Sequence, residues 1–118
     1  MGNERPMQDA DPAFLVPALQ LLIDDLARGN LDAIISRREH GILTEDELEL
    51  ACREYPGAIN AQVVDPARVW LYEYVGRAGS GMVEYDLMVD GVISDLTLTC
   101  EYDTARDPLL TIEQLHVL

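Results

Sequence analysis

Glu84, Asp86, Asp95 and Glu101 occupy alternate positions in two runs, Met82 to Val89 and Val92 to Tyr102, that are separated only by Asp90-Gly91. Asp-Gly between alternating apolar and polar residues signals a two-residue hairpin turn. Such a loop sets Val89 opposite Val92, Leu87 opposite Ser94, Asp86 opposite Asp95, Tyr85 opposite Leu96 and Glu84 opposite Thr97. Two carboxylates then face each other at about 5 Å, where like charges weaken a strand pair. Three environments relieve that conflict. The carboxylates can face open water, they can receive a cation or the arginines and lysines of a partner, or they can share a proton as an acid/base pair.

Other chemistry-bearing residues form no comparable set. His40 falls in a polar loop between helices, and His116 alternates with Leu115 and Val117 in the last strand, where an edge or structural position is expected. Neither has metal-ligand spacing, so no metal and no cofactor are expected. Ser36, Ser80 and Ser94 lie outside any nucleophile motif. Gly76, Gly79 and Gly81 lack the following helix that phosphate binding needs, so a hairpin turn is expected there. Trp70, Tyr72 and Tyr74 share one side of a strand, where they fill the core or line a ligand pocket. Cys52 and Cys100 sit at apolar-face positions with no CxxC spacing and read as buried free thiols.

The elements that must hold these residues follow from periodicity. Met1 to Ala10 is polar and unpatterned and reads as a disordered tail, leaving residues 11–118 as a single domain. Asp11 before Pro12 has the form of a helix start, and Leu15, Leu19, Leu22, Ile23 and Leu26 recur at helical spacing up to Gly29. Asn30 opens a second, short helix carrying Leu31, Ile34 and Ile35. Thr44 and Glu47 have capping-box spacing ahead of a third helix, with Leu48, Ala51, Cys52 and Tyr55 as its stripe and Pro56-Gly57 as its end. Val63 and Val64 suggest a short strand.

From Arg68 the period becomes alternating. Val69 to Val75 reads as a central strand, because apolar groups fall on both sides. The hairpin follows, and Leu109 to Val117 closes the sheet. The expected fold is α+β: two to three N-terminal helices packed on a C-terminal antiparallel meander of about four strands. Val83, Tyr85, Leu87, Val89, Val92, Leu96, Leu98 and Cys100 should face the helices, and Glu84, Asp86, Asp95, Thr97, Thr99 and Glu101 the other side.

The 118 residues, 48% hydrophobic, suffice for one core. The longest apolar stretch, Ala13 to Ile23, is interrupted by Pro17 and Gln20 and is too short to span a bilayer. No secretion signal is evident, and a cytoplasmic location is the expectation. The chain has 22 acidic and 8 basic residues, all of the latter arginine, for a net charge of −14. Such a field repels nucleic acid and anionic lipid and attracts a basic protein.

At Asp86-Leu87, Asp90-Gly91, Ser94-Asp95-Leu96-Thr97-Leu98 and His116-Val117-Leu118 the chain resembles a small bacterial family of uncharacterised proteins. That family has a helical first half and a Ser-Asp-Leu-Thr-Leu strand before a closing strand ending in His-Val-Leu. More broadly, helices followed by a curved meander are similar to the cystatin-like and nuclear-transport-factor-like cone folds, which include immunity proteins against toxins. The resemblance implies a non-enzymatic, immunity- or antitoxin-like inhibitor of a basic partner protein, with Glu84, Asp86, Asp95 and Glu101 as partner-binding residues. The alternative is a small-molecule-binding or weakly enzymatic cone-fold protein with Trp70, Tyr72 and Tyr74 lining its pocket. A homodimer joined through the sheet is a third expectation.

Overall fold

The Asp11 carboxylate accepts the Ala13 N–H at 3.0 Å and starts a 3-10 turn, Pro12–Leu15, that runs into helix α1, Val16–Arg28. The computed structural model describes residues 11–117; the tail expected over residues 1–10 and the terminal Leu118 lie outside them. Pro17 falls in the first turn of α1, where its missing N–H costs nothing. Helix α2, Leu31–Ser36, begins after Asn30, whose side chain makes no capping bond. Helix α3, Glu45–Glu54, carries the complete capping box between Thr44 and Glu47. Tyr55, which precedes Pro56, leaves the helix in an extended conformation, as a residue before proline prefers.

Four antiparallel strands follow in the order β1-β2-β3-β4: β1, Trp70–Glu73; β2, Ser80–Val89; β3, Val92–Asp103; β4, Leu110–Val117. The α+β fold, with helices first and a meander last, is therefore as the sequence pattern predicts. One sheet face, bearing Val83, Tyr85, Leu87, Val89, Leu96, Leu98, Cys100, Leu110, Ile112 and Leu115, joins Leu19, Leu22, Ile23 and Leu26 of α1, Ile34 of α2 and Leu48 of α3 in one buried apolar cluster. Cys100 is a fully buried free thiol, raised in pKa by burial, and Cys52 is a half-buried one.

Four expectations need correction. β1 is an edge strand, not a central one, and Val75 beyond it is fully exposed. Its two apolar sides arise because Val69 and Leu71 enter the core while Trp70 and Tyr72 lie half-buried on the outer face. Val92, assigned to the core, is 64% exposed because it belongs to the turn end of the hairpin. Val63 and Val64 form no strand; Val64 is buried, and its N–H is held by Gln20 Oε1 at 2.8 Å.

The hairpin register is the fourth. Asp90 and Gly91 have φ of 51° and 84°, the left-handed pair that a primed two-residue turn demands, and Val89 faces Val92 as expected. Between Met88 and Asp86, however, β3 carries extra residues, so Asp86 pairs with Thr97, Tyr85 with Leu98 and Glu84 with Thr99. Ser94 causes the detour chemically: its Oγ donates to the Leu87 carbonyl at 2.7 Å and accepts the Leu96 N–H at 3.1 Å. The shift is an even number of residues, so side chains from Leu96 onward keep their predicted faces while their cross-strand partners change, and Asp95, inside the detour, is re-aimed toward the end of α3.

β1 is too short to cover all of β2, and the segment after α3 completes the job. Ala58 and Asp90 are joined by the Asp90 N–H to the Ala58 carbonyl at 3.1 Å and by the Ala58 N–H to Asp90 Oδ1 at 3.0 Å. The Asn60 N–H reaches the Met88 carbonyl at 3.1 Å, and Gln62 adds Nε2 to the same carbonyl at 3.2 Å while its Oε1 accepts the Met88 N–H at 2.8 Å. Gln20 repeats the device one layer away, donating to the Gln62 carbonyl at 2.7 Å and accepting from Val64. Two side-chain amides thus stand in for peptide groups of a strand. Gln62→Leu should strand the Met88 N–H while the Met88 carbonyl keeps Asn60. The expected loss is about 1–3 kcal/mol, read as a lower urea midpoint at unchanged slope.

Candidate functional site

Strand pairing arranges the outer face of the sheet in transverse rows. Trp70, Glu84, Thr99 and Gln114 form one row; Tyr72, Met82, Glu101 and Thr111 form the next; Asp86, Thr97 and His116 form a third. Thr97 and Thr99, on the middle strand, are buried by the longer side chains to either side, while the flanking Trp70, Tyr72, Met82, Glu84, Asp86 and Glu101 are half-exposed. The Thr99 hydroxyl is buried without a hydrogen-bond partner among the described residues.

Each predicted acidic residue has a definite neighbour. Tyr72 Oη donates to Glu84 Oε1 at 3.1 Å, and Tyr74 Oη donates to Glu101 Oε2 at 3.2 Å. Thr97 Oγ1 donates to Asp86 Oδ1 at 2.7 Å. Arg106 Nη1 lies 2.9 Å from Glu101 Oε1 and offsets that charge within the chain. Burial, followed by the nearby carboxylates of Glu101 and Glu113, raises the Tyr74 phenol, which therefore stays a donor. The Arg77 guanidinium sits 5.0 Å above the Tyr74 ring, already using that aromatic surface for a cation. The Arg68 guanidinium donates to the Asp86 carbonyl and lies 4.7 Å from the Tyr85 ring centre.

Glu84, Asp86 and Glu101 thus share one face with Trp70, Tyr72 and Tyr74. The sequence treats acids and aromatics as separate groups because the pairing of β1 with β2 is not visible in either run alone. Asp95 departs from this set. The detour at Ser94 removes it from opposite Asp86, and it accepts a 2.6 Å hydrogen bond from Tyr55 Oη at the end of α3. That bond is the leading cause of the raised Tyr55 pKa.

Around Asp95 lies a cleft of about 540 Å³ between the end of α3 and the adjoining ends of β3 and β4. Ala51, Leu96 and Leu115 contribute apolar surface, and Glu54, Tyr55 and His116 contribute polar atoms. Trp70, Tyr72 and Tyr74, which the alternative reading sets around a pocket, are not among its lining residues. From sequence, His116 reads as a strand residue and Tyr55 as part of a helix stripe. The signal for Tyr55 is the following proline, which turns an aromatic side chain out of the helix. Among the described residues no group of three or more His, Cys, Asp or Glu is placed to hold a metal.

A second charged cluster is structural. Arg37 Nη2 lies 2.6 Å from Asp25 Oδ2 and 2.8 Å from Glu39 Oε1, with both carboxylate side chains only 7% exposed. Burial pushes the Glu39 carboxyl up, against the lowering influence of Arg37. Its ionisation therefore opposes folding: the stabilisation associated with protonated Glu39 is full below the unfolded value and lost as pH rises through the raised folded one. Arg37→Met should cost about 3 kcal/mol at pH 7 by leaving two buried carboxylates unpaired. The loss should shrink as the pH falls toward 4.5, the ordinary glutamate value, when thermal unfolding of wild type and variant is compared across that range.

Comparison with known proteins places the chain in a family. Residues 23–118 match the family model described as a domain of unknown function, DUF7668. The match takes in α1 from Ile23 onward, the other two helices and the sheet, and the chain belongs to that family. No curated protein and no solved structure matches it.

Proposed function

We propose that this member of the DUF7668 family is a non-enzymatic binding module for a basic protein, acting as an immunity- or antitoxin-like inhibitor that covers its target. The observation that carries the reading is the outer sheet face, where Glu84, Asp86 and Glu101 are interleaved with Trp70, Tyr72 and Tyr74. Carboxylates attract arginine and lysine, and aromatic rings offer surface on which a guanidinium can stack. A net charge of −14 extends the attraction beyond contact distance and raises the association rate. Arg77 over Tyr74 shows within the chain the kind of contact that a partner's arginine would make. Asp95 belongs to the rim of this surface, since Tyr55 holds it.

The test uses substitutions that remove charge but keep the hydrogen-bond acceptors of Tyr72 and Thr97. Tagged wild-type protein should capture a basic protein in stoichiometric amount from its native host at low salt and lose it at high salt. Glu84→Gln with Asp86→Asn should weaken that complex by about 10-fold or more, mainly by removing paired charge, with the melting temperature of the free protein nearly unchanged. The captured protein should be toxic when expressed alone and harmless when co-expressed with this chain. A captured partner whose affinity ignores both salt and the double substitution would remove the sheet face as its binding surface.

A further inference from the structure

The Asp95 cleft adjoins the sheet face at Asp95 and His116 and is otherwise built from residues that the sheet-face reading does not use. Its apolar lining includes Val117, 51% exposed, and the half-buried Ala51, beside the covered Leu96 and Leu115, so a ligand with a hydrocarbon body gains by entering. Its polar groups converge from two directions: Glu54 and Tyr55 from the end of α3, and Asp95 and His116 from the strand ends. The Tyr55–Asp95 bond at 2.6 Å fixes the carboxylate against the phenol and leaves that carboxylate's second oxygen able to accept a further donor. Among the described residues no arginine lines the cleft, and the carboxylates there are Glu54 and Asp95. At about 540 Å³ it has the size of a small-molecule site.

From this combination we infer that the cleft binds a small organic cation, an ammonium or amidinium group carried on a compact apolar body. The cationic group meets Asp95 and the Tyr55 ring, and the apolar body lies against Ala51 and Val117. A bare metal ion is the poorer fit, because the described residues supply no three-ligand set and the cleft surface is in large part hydrocarbon. The carboxylate supplies charge recognition, and the aromatic ring adds cation–π attraction.

The probe is benzylamine, with benzyl alcohol as its neutral counterpart of nearly the same shape, titrated into isotopically labelled full-length protein and followed by amide chemical shifts. Benzylamine should move the amides of Tyr55, Leu96 and His116 together, with a dissociation constant on the order of a millimolar. Benzyl alcohol should bind about 10-fold more weakly or not at all. Asp95→Asn keeps an acceptor for Tyr55 and should weaken benzylamine by a similar factor. Glu84→Gln with Asp86→Asn should leave this titration unchanged, which separates failure here from failure of the sheet-face reading. Equal binding of the amine and the alcohol, shifts scattered over the acidic surface instead of the cleft, or indifference to Asp95→Asn would each overturn the inference. The comparison of amine with alcohol on wild-type protein stands even if the variant does not fold.

Discussion

Pairing both edges of β2 is the constraint on which the rest of the structure depends. β2 runs from Ser80 to Val89, but β1 is paired with it only over Gly81 to Glu84. Its remaining backbone groups lie beside the core, where an unpaired amide is costly. The chain after α3 supplies the partners through Ala58, Asn60 and Gln62, and Gln20 of α1 holds that segment from the helical side. These bonds tie helices to sheet in a way that apolar packing alone does not, because a hydrogen bond has a direction and hydrophobic contact has little. They also place Pro56, and with it Tyr55, beside the strand ends where the cleft forms.

The second consequential feature is the detour at Ser94. A regular ladder would have set Asp86 against Asp95 and concentrated two negative charges at one point. The serine hydroxyl instead takes over hydrogen bonds at Leu87 and Leu96, and the two carboxylates diverge. Asp86 receives the Thr97 hydroxyl on the outer face, and Asp95 receives the Tyr55 hydroxyl at the rim. One local irregularity thus removes an electrostatic conflict and divides the acidic residues between two surfaces, consistent with the tendency of bulges to re-aim side chains near functional sites.

The parts legible in the sequence are those set by local rules. The Thr44-Glu47 capping box, the helix stop at Gly29, the Asp90-Gly91 turn and the alternation of Val83, Tyr85 and Leu87 each depend on residues a few positions apart, and all are present. Long-range pairing was less legible. β1 resembled a central strand because aromatics on a half-exposed face and aliphatics in a core have the same alternating apolar pattern. The register beyond Met88 was hidden because Ser94 acts through a side-chain hydrogen bond that no turn motif announces. The role of residues 58–62 is not legible in the sequence because glutamine amides satisfying a strand leave no apolar periodicity. For the candidate site, the acidic residues were visible and their aromatic neighbours were visible, but their meeting on one face depended on the unseen pairing of β1.

The arrangement of the arginines bears on how the acidity is expressed. Among the described residues, five arginines serve contacts within the chain: Arg37 bridges Asp25 and Glu39, Arg53 pairs with Glu49, Arg106 pairs with Glu101, Arg68 lies by Tyr85, and Arg77 lies over Tyr74. Arg37 shows why arginine suits this task. Its planar guanidinium carries several donors at fixed angles and can serve two carboxylates, whereas lysine presents a single compact ammonium. Cations drawn into such contacts have their fields largely matched locally, while the first turn of α3 sets Glu45, Asp46 and Glu47 side by side at a helix N-terminus, where acidic groups are stabilised by the helix dipole. The surplus of acid over base is thereby compatible with folding and remains available to solvent. A field of that kind acts over roughly a Debye length, about 8 Å at physiological ionic strength. Under the proposed reading, that field would draw a basic partner inward, and the tyrosine-held carboxylates would set the contacts made after encounter.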